Sequence, residues 1–424
     1  MVKSKKHENH TLSTDIDAEV KEIIKKELER QKNQLILIAS ENFTSQEVIR
    51  TMGSILTNKY AEGYPGFRYY AGCEHIDEIE QLAINRANQL FGSNYSNVQP
   101  HSGVNANLAV YLSILNCGDR LLSMNLRDGG HLSHGHKQNL SGKYYEIHTY
   151  TVDPETEMID YENVRKLAKA TRPKLIIAGA SSYSRLIDFN KFRDIADEVG
   201  AYLMADTAHI AGLMVTGYHP SSINVADFTT ATTHKTLRGP RGGLIIADKK
   251  YAGLIDRSVF PGVQGGPLMH IIAAKAVAFR EALKDSFKDY SRRIIENSKA
   301  LCEYIKKEGF RIVSGGTDNH LFLIDLTDKE LTGYEAVRTL SSVGIIINKN
   351  VIPFDKLDPI ITSGIRIGTP AVTTQGMGVE QMYKIGGYIS GALKNRSNPS
   401  KLKEIASKVK KLANDYPVYT NLEV

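Results

Sequence analysis

A single lysine in a stretch of hydroxyl and glycine residues is the first side chain of this sequence that could do chemistry. Lys235 follows Thr232, Thr233 and His234 in the segment TTATTHKTLRGPRGG, which runs from residue 229 to residue 243. Threonines and glycines let the backbone approach a ligand closely, and a lysine that loses its water has a lowered pKa and can act as an amine nucleophile. The segment therefore predicts a reactive lysine, provided that the rest of the chain binds an electrophile.

Two motifs that precede Lys235 predict which electrophile this is. YLMADTAH is an apolar strand that ends in Asp206, and QPHSGVNANLAV, residues 99–110, is a small-residue turn that opens a helix. Taken singly, the turn could be a plain helix cap and Asp206 an N-cap residue. However, strand carboxyl ends bind ligands in open α/β sheets, and helix N-termini bind phosphate. A phosphate turn, an aspartate and a lysine in this order predict pyridoxal 5'-phosphate, with the lysine forming a Schiff base and the carboxylate holding the proton of the pyridine nitrogen.

The elements that must position these groups alternate along the chain. Amphipathic patterns predict helices, among them one over residues 17–35 that begins at Asp17 or a nearby Ser or Thr cap, and one that ends at Gly92. Strands that alternate with helices predict an α/β fold with a mostly parallel central sheet covered on both faces. The short apolar runs that predict strands are RLLSMN, YYEIHTYTV, KLIIAG, YLMADTA, DFTTATT and GGLIIAD.

The pattern changes after about residue 280. One long helical stretch over residues 276–309 leads into further strands and a helix, which is typical of a smaller α+β domain. We therefore divide the chain into an N-terminal helical arm at residues 1–34, a large cofactor-binding α/β domain at 35–280 and a small C-terminal α+β domain at 281–424.

The charge distribution argues against a nucleic-acid partner. Lys and Arg number 53 and Asp and Glu 47, for a formal net charge of +6. Much of the excess lies in the N-terminal MVKSKKHENH and in KLKEIASKVKK near the C-terminus, and neither segment is a basic stripe with interleaved aromatic side chains. A mildly basic chain suits small anionic ligands instead.

The cysteines and the hydropathy predict the compartment. Cys73, Cys117 and Cys302 are odd in number and far apart, so we expect neither a disulfide framework nor a metal site. Unpaired thiols are typical of a reducing compartment. The N-terminus lacks the apolar core of a signal peptide, and no apolar run approaches membrane-spanning length. We therefore expect a cytoplasmic protein without a membrane partner.

Several segments, in a fixed order from about Leu35 to Ala371, carry a resemblance to a known family. They are LIASENFTS, TNKYAEGYPGFRYYAGCEHID, VQPHSGVNAN, GGHLSHG, ADTAHIAGL, TTHKTLRGPRGGLI, QGGPL, NKN and SGIRIGTPA. Together they resemble the serine hydroxymethyltransferases. The resemblance implies a pyridoxal-phosphate-dependent transferase of fold type I. It also implies reversible interconversion of L-serine and glycine, with transfer of the one-carbon unit to tetrahydrofolate to give 5,10-methylenetetrahydrofolate.

The resemblance implies roles for the residues that bind the cofactor. Lys235 is expected to bind it covalently, Asp206 to pair with the pyridine nitrogen and His131 to stack on the ring. The other implied cofactor contacts are Ser102, Gly103 and Val104 at the phosphate, Ser181 and His209 near the 3-hydroxyl, His234 beside Lys235, and Gly266 from a neighbouring subunit.

The same motifs imply a catalytic set. Breaking the Cα–Cβ bond of a 3-hydroxy amino acid requires an electron sink and a group that takes the proton of the 3-hydroxyl. Glu62, in YAEGYPG, is the implied acid/base residue, although a glutamate in a loop could also be a plain solvated charge. Tyr60, Thr232, His131 and Lys235 complete the implied set.

Substrate and folate contacts follow in the same way. Arg366 is expected to clamp the amino-acid carboxylate through a bidentate pair, helped by Ser40 and Tyr70. The implied folate contacts are Glu62, Tyr69, Leu126, Gly130, Leu132 and Asn350. Because Tyr60, Glu62 and Gly266 would enter a neighbour's site, the resemblance also implies a homodimer with shared active sites.

Five residues depart from the family's pattern. Val104 stands where Ser or another small residue is usual, which removes a hydroxyl donor to phosphate. Arg127 and Asp128 replace Ala or Ser and then His, Phe67 replaces Lys, and Arg185 replaces a small residue. We expect these last four to lie on the side of the second substrate and to spare the residues that bind the cofactor.

The departures leave two alternative functions open. Arg127 to His131 resembles the corresponding segment of threonine transaldolases, which use an aldehyde in place of folate, so a folate-independent aldolase or transaldolase is the first alternative. A regulatory or nucleic-acid-binding paralogue with little activity is the second. The intact Lys235, Glu62 and Arg366 argue against the second alternative.

Overall fold

The structure, a computed structural model, describes residues 16–420 and residue 422. The basic segment over residues 1–10 and part of the expected N-terminal arm lie outside the described residues. The helices are α1 (Ala18–Asn33), α2 (Gln46–Met52), α3 (Glu74–Phe91), α4 (Gly103–Ile114), α5 (Leu140–Tyr144), α6 (Tyr161–Thr171), α7 (Phe189–Val199), α8 (Ala211–Val215), α9 (Ala252–Arg257), α10 (Met269–Ala282), α11 (Asp285–Lys307), α12 (Gly333–Ser342), α13 (Pro370–Thr374), α14 (Val379–Lys394) and α15 (Pro399–Asp415). The strands are β1 (Leu35–Ile36), β2 (Gly63–Tyr64), β3 (Phe67–Arg68), β4 (Tyr95–Asn97), β5 (Arg120–Met124), β6 (Glu146–Tyr150), β7 (Leu175–Gly179), β8 (Tyr202–Asp206), β9 (Phe228–Thr232), β10 (Gly243–Ala247), β11 (Arg311–Ile312), β12 (Leu321–Asp325), β13 (Ile345–Ile346), β14 (Asn348–Asn350) and β15 (Gly364–Gly368).

A seven-stranded sheet lies at the centre of the fold, with the strand order β4-β10-β9-β8-β7-β5-β6. Strand β10 pairs antiparallel with both β4 and β9, and the other neighbouring pairs are parallel. Six of the seven strands fall on the six apolar runs of the sequence, while β4, with the sequence Tyr-Ser-Asn, was not predicted. The predicted α/β fold with a mostly parallel central sheet is confirmed.

The local sequence explains why the sheet is covered on both faces. Every residue of β7, β9 and β10 is buried, as expected when helices cover a strand from both sides. Helix α7 shows how the covering helices form. Asp188 caps it by accepting the N–H groups of Asn190 and Lys191, its apolar side chains are buried, and Gly200 ends it with φ 69°.

The C-terminal part of the chain forms a second sheet with its own core. Strands β11, β12, β15 and β14 pair antiparallel in that order, and helices α11, α12, α14 and α15 contribute apolar side chains to the same core. Leu35 and Leu37 also belong to this core, and β1 pairs in parallel with β13. The first residues of the expected large domain therefore pack with the C-terminal part, although sequence order suggested otherwise.

The expected single helix over residues 276–309 is instead two helices, and that prediction is wrong. Helix α10 ends at Ala282 and α11 begins at Asp285, because Lys284 adopts an extended backbone with ψ 150°. Helix α11 contributes Phe287 to the core beneath the large sheet and Leu301 to the C-terminal core. It therefore links the two cores, and a division at residue 280 stays a prediction.

Other expectations concern the termini, the cysteines and the membrane. Asp17 caps α1 by accepting the N–H groups of Glu19 and Val20, as expected. The C-terminal basic segment lies on α15, with its lysines exposed and its apolar residues buried. Cys73, Cys117 and Cys302 are unpaired. Within the part of the chain that the structure describes, no helix could cross a membrane and no cluster of three His, Cys, Asp or Glu side chains could hold a metal.

Candidate functional site

A cavity of about 510 Å³ opens at the carboxyl edge of the large sheet, which is the ligand-binding edge of open α/β folds. It lies at the ends of β7, β8 and β9, and a buried arginine of β15 closes its far side. The structure brings fifteen of the predicted site residues together in its lining: Ser40, Ser102, Gly103, Val104, Leu126, Gly130, His131, Leu132, Ser181, Asp206, His209, Thr232, His234, Lys235 and Arg366.

Lys235 lies in this cavity three residues beyond the end of β9. The pKa of its amine is lowered to about 8, chiefly by burial and also by the positive charges of Arg366 and Arg241, while the negative charge of Asp206 partly opposes these effects. The amide of Asn42 donates to the carbonyl of Lys235 at 2.9 Å and so fixes the backbone there. A lysine with this pKa has a substantial neutral fraction near neutral pH and can attack a carbonyl.

Asp206 ends β8 and is held as a carboxylate. Burial by itself would raise its pKa, but the hydrogen bonds from His134 and Asn107 help to keep that pKa well below the ordinary range. Asn107 Nδ2 and His134 Nε2 both lie within hydrogen-bond distance of Asp206 Oδ2, at 2.8 and 2.9 Å. The N–H of His131 donates to His134 Nδ1 at 3.2 Å, so the ring proton of a neutral His134 lies on Nε2 and is donated to Asp206.

His131 presents a neutral ring to the cavity. Burial lowers the pKa of its imidazole to about 4, and the positive charges of Lys235 and Arg366 contribute in the same direction. The ring is held by Ser133, whose backbone N–H donates to His131 Nδ1 at 3.2 Å. A neutral, fixed aromatic ring is suited to stacking on a flat heteroaromatic ligand.

His209 forms a buried pair with His320, a residue without a predicted role. His209 Nδ1 and His320 Nε2 are 3.2 Å apart, and the two rings stack with centroids 5.4 Å apart. Burial lowers the pKa of His209 well below its usual value and that of His320 to about 3. Both rings are therefore neutral, and His209 contributes hydrogen bonding to the cavity without adding charge.

The phosphate end of the cavity is formed by the N-terminus of α4. Ser102 caps this helix by accepting the N–H of Asn105 at 3.2 Å, and in the described structure the N–H groups of Gly103 and Val104 have no partner and could bind an anion. A Cβ on Gly103 would lie 2.6 Å from the side chain of Thr232, so only glycine lets the turn approach the end of β9 this closely. The buried Nδ1 of His234 has no hydrogen-bond partner in the described structure.

Arg366, on β15, is a buried cation without a paired anion. Its side chain donates to the carbonyl of Ser181 and to Asn348 Oδ1, the latter at 3.2 Å. Burial lowers the pKa of its guanidinium to about 10. No Asp or Glu among the described residues forms an ion pair with it, so a ligand carboxylate would satisfy the remaining donors.

The donor set of the cavity therefore fits pyridoxal 5'-phosphate. A lysine amine with a lowered pKa faces an aldehyde, an ionised aspartate faces a pyridine nitrogen, and a helix N-terminus faces a phosphate. The orphaned His234 Nδ1 is a further polar atom that a bound ligand could satisfy.

Six predicted site residues lie outside this cavity. Tyr60, Glu62 and Gly266 lie together on the surface: Tyr60 Oη donates to Glu62 Oε1 at 3.3 Å, and a Cβ on Gly266 would be 3.6 Å from the Tyr60 ring. Tyr70 stacks edge-on against Tyr60 with centroids 5.0 Å apart. Tyr69 and Asn350 are the remaining two.

These six residues differ in their exposure and in their contacts. Tyr69 is 76% exposed and packs against Phe260, and the backbone of Asn350 pairs with that of Gly364 in the C-terminal sheet. Tyr60 is 56% exposed. The surface cluster of Tyr60, Glu62, Tyr70 and Gly266 is therefore available to another molecule.

The departures from the family's pattern differ in their surroundings. Arg185 reaches the C-terminal part, where it forms an ion pair with Asp318 at 3.3 Å, and it does not line the cavity, so its place beside the second substrate stays a prediction. Arg127 donates to the carbonyl of Asp355 at 2.7 Å, next to the mouth of the cavity. Asp128 is buried, and burial raises the pKa of its carboxyl to about 6, while Phe67 is 83% exposed.

Asn107 and His134 are site residues that sequence reasoning missed, although both lie inside quoted motifs. Asn107 lies one helical turn beyond the phosphate turn in VQPHSGVNAN, and His134 lies three residues after His131 in GGHLSHG. Their spacing places them on the cavity side of their turns, and that was the available signal. Glu41, Ala180, Ala208 and Arg241 also line the cavity.

A comparison with protein families agrees with this geometry. The sequence model of the family described as serine hydroxymethyltransferase matches residues 13–389, which is most of the chain. Members of this family are pyridoxal-phosphate-dependent enzymes of fold type I, and the large sheet and its edge cavity have that architecture. The chain belongs to the serine hydroxymethyltransferase family.

Proposed function

We propose that the protein is a glycine hydroxymethyltransferase. It would interconvert L-serine and glycine reversibly and transfer the one-carbon unit to tetrahydrofolate, giving 5,10-methylenetetrahydrofolate. One observation carries the proposal: a lysine of lowered pKa, an ionised aspartate and an unpaired buried arginine line one cavity. This set meets the three needs of an enzyme that acts on an amino acid through pyridoxal phosphate.

Several cavity residues would bind the cofactor and keep its pyridine nitrogen protonated. When bound, pyridoxal phosphate supplies an electron sink for the negative charge left at Cα as the Cα–Cβ bond breaks. Asp206 would hold the proton on the pyridine nitrogen, and its two donors, Asn107 and His134, keep it ionised. His131 would hold the ring from one face, and Ser102, Gly103 and Val104 would bind the phosphate.

A second set of residues would bind and orient the amino acid. Arg366 would bind the substrate carboxylate with two parallel N–H donors, and Ser40 and Tyr70 would support it. This orientation directs the bond to be broken, because the carboxylate fixes one of the substituents at Cα. Lys235, which lines the same cavity, would exchange protons at Cα.

Glu62 would take the proton from the 3-hydroxyl and would come from a partner subunit. In one chain Glu62 does not line the cavity, but it lies with Tyr60 and Gly266 on an accessible surface. A two-fold dimer would bring this cluster of each subunit to the cavity of the other and form two equivalent sites. We therefore propose a homodimer. From the unpaired cysteines we also propose that it works in the cytoplasm.

The folate would bind at the mouth of the cavity. Leu126 and Leu132, which are 42% and 49% exposed, and Gly130 form an apolar lip there. Apolar side chains at a cavity mouth suit a flat aromatic cosubstrate. Tyr69, Glu62 and Asn350 would complete the folate site from outside the cavity of a single chain.

Absorbance of the protein loaded with pyridoxal phosphate tests the proposal. We expect glycine alone to change the spectrum little and glycine with tetrahydrofolate to produce a strong long-wavelength band. A band that appears with glycine alone, that an added aldehyde quenches and that tetrahydrofolate does not affect would overturn folate use. That result would establish the folate-independent aldolase or transaldolase instead.

A further inference from the structure

Lys275, on α10, is a fully buried lysine outside the cavity. Its side chain is 1% exposed, and its Nζ donates to the carbonyl oxygens of Val98, Gly243 and Pro100 at 2.6, 2.8 and 3.1 Å. No ion pair joins it to an Asp or Glu anywhere in residues 16–420. A charged group is expensive to bury, so a lysine in this position calls for an explanation beyond packing.

The contacts of Lys275 require the protonated amine. Three carbonyl oxygens surround Nζ, and only an ammonium group has three N–H donors to match them. Burial lowers the pKa of this amine to about 7, and the negative charge of Glu80 partly opposes that effect. The three carbonyl acceptors favour the charged form of the amine and so oppose the effect of burial.

The three carbonyls belong to the chain that enters the phosphate turn and to the strand beneath it. Val98 and Pro100 immediately precede the turn that Ser102 caps, and Gly243 begins β10. The N–H of Gly243 also donates to the carbonyl of Pro100, at 2.9 Å. Lys275 thus joins both sides of this contact and fixes where the turn lies on the sheet.

Two glycines make this arrangement possible. A Cβ on Gly242 would lie 2.4 Å from Cε of Lys275, and a Cβ on Gly243 would lie 2.2 Å from the carbonyl oxygen of Ser102. The Gly-Gly pair that ends the segment around Lys235 therefore leaves room for the lysine on one side and for the phosphate turn on the other.

We propose that Lys275 is a positioning residue for the phosphate group of the cofactor. It holds the turn over residues 98–104 so that the N–H groups at the start of α4 converge on an anion, and its charge favours a phosphate dianion there. The inference rests on the proposed function, because it assumes that the cavity binds pyridoxal phosphate. A lysine that only braces the fold would affect all ligands of the cavity equally.

Binding of pyridoxal phosphate and of pyridoxal, which lacks only the phosphate, separates these two roles. Dissociation constants of both compounds would be measured for the wild type, for Lys275→Met and for the control Asn297→Leu. Asn297 is also a 1% exposed polar residue, and its amide donates to Thr373 and Met377, neither of which lines the cavity. Melting temperatures of the proteins without cofactor would report the effect on stability.

We expect Lys275→Met to weaken pyridoxal phosphate at least about tenfold, since hydrogen bonds to charged groups and a nearby charge are removed, and to change pyridoxal less than about threefold. Asn297→Leu should lower the melting temperature and leave the ratio of the two affinities unchanged. Should Lys275→Met not fold, Gly242→Ala, which displaces the lysine end while keeping it, is expected to give the same selective loss.

The outcomes distinguish this inference from the proposed function. An unchanged ratio of the two affinities in Lys275→Met, or in Gly242→Ala where that variant is used, would overturn the phosphate role and leave the cofactor site intact. A wild-type protein that binds neither compound would overturn the proposed function itself, and the inference with it.

Discussion

Replacing Arg366 by methionine should abolish tight amino-acid binding without unfolding the protein. Arg366 is 8% exposed, and its guanidinium donates hydrogen bonds to two neutral acceptors, the carbonyl of Ser181 and the side chain of Asn348. It has no paired anion in the described structure. Methionine has a similar length and no charge. The variant therefore removes the proposed carboxylate clamp and a buried, uncompensated cation at the same time.

The two effects have different sizes. A bidentate clamp provides two hydrogen bonds between charged groups, each contributing about 1.5–3 kcal/mol. Their loss weakens binding by about 3–6 kcal/mol, a factor of about 100 to 10,000. For Arg366→Lys, which keeps the charge but not the fork, we expect a factor of about 10 to 100. The free energy of unfolding should change by only about 1 kcal/mol, because burial already disfavours the charged guanidinium.

Spectral titration of the cofactor-loaded protein with serine measures the first effect, and thermal unfolding measures the second. Arg185→Met is the matched control, since Arg185 has an ion pair with Asp318 and lies outside the cavity. It should lower stability and leave serine affinity unchanged. If serine affinity in Arg366→Met changes less than about threefold, the carboxylate is bound elsewhere and the argument from the unpaired arginine is wrong.

Three further predictions follow from the site. Asp206→Asn should still bind pyridoxal phosphate but slow the exchange of the glycine α-proton about 100-fold or more, because an amide cannot stabilise a protonated pyridine; an unchanged exchange rate measured by NMR would contradict this role. The rate at which the cofactor becomes covalently attached should rise with pH and level off above about pH 8, since only the neutral amine of Lys235 attacks and burial lowers its pKa to about 8; a rate that still climbs at pH 10 would indicate an ordinary lysine. Inactive Lys235→Ala chains mixed with inactive Glu62→Ala chains should regain up to about a quarter of wild-type activity, because random exchange makes about half of the dimers mixed, each with one intact site; no recovery after exchange confirmed by mass would place Glu62 in its own chain's site.

Six of the seven strands of the large sheet were predictable from the sequence because each falls on a short apolar run between turns, whereas β4, with the sequence Tyr-Ser-Asn, does not. Burial from both faces makes such a run apolar throughout, and that signal is local. The direction of β10 was not predictable in the same way. Its sequence, GLIIA, resembles that of the parallel strand β7, LIIAG, and only the pairing with β9 and β4 makes it antiparallel. The break between α10 and α11 was missed because residues 283 and 284, Leu and Lys, are ordinary helix formers.

The site was predictable where one motif carries one function. Asp206 ends β8, Lys235 follows the end of β9 by three residues and Ser102 caps α4, so local sequence indicates both the chemistry and the place. The contacts that adjust Asp206 were not predictable. His134 and Asn107 are 72 and 99 residues away along the chain, and only the packing of α4 and the turn after β5 onto the sheet brings them to it.

Sequence distance also hid the role of Lys275. It lies 40 residues after Lys235 on a helix of mostly buried residues, and its three acceptors are backbone carbonyls, which no sequence pattern displays. For the surface cluster of Tyr60, Glu62, Tyr70 and Gly266, the sequence predicts a role that one chain does not display. The family resemblance implies that these residues belong to an active site, but in a single chain they lie outside the cavity.

The cavity is proposed to bind pyridoxal phosphate covalently through Lys235. The most direct test is to reduce the covalent bond between the lysine and the cofactor so that it survives digestion. The protein would be loaded with pyridoxal phosphate, treated with borohydride, digested and mapped by mass spectrometry. We expect one reduced pyridoxyl-phosphate group per chain, on the peptide that contains Lys235. A group on another lysine, or no group at all, would contradict the proposed role of Lys235.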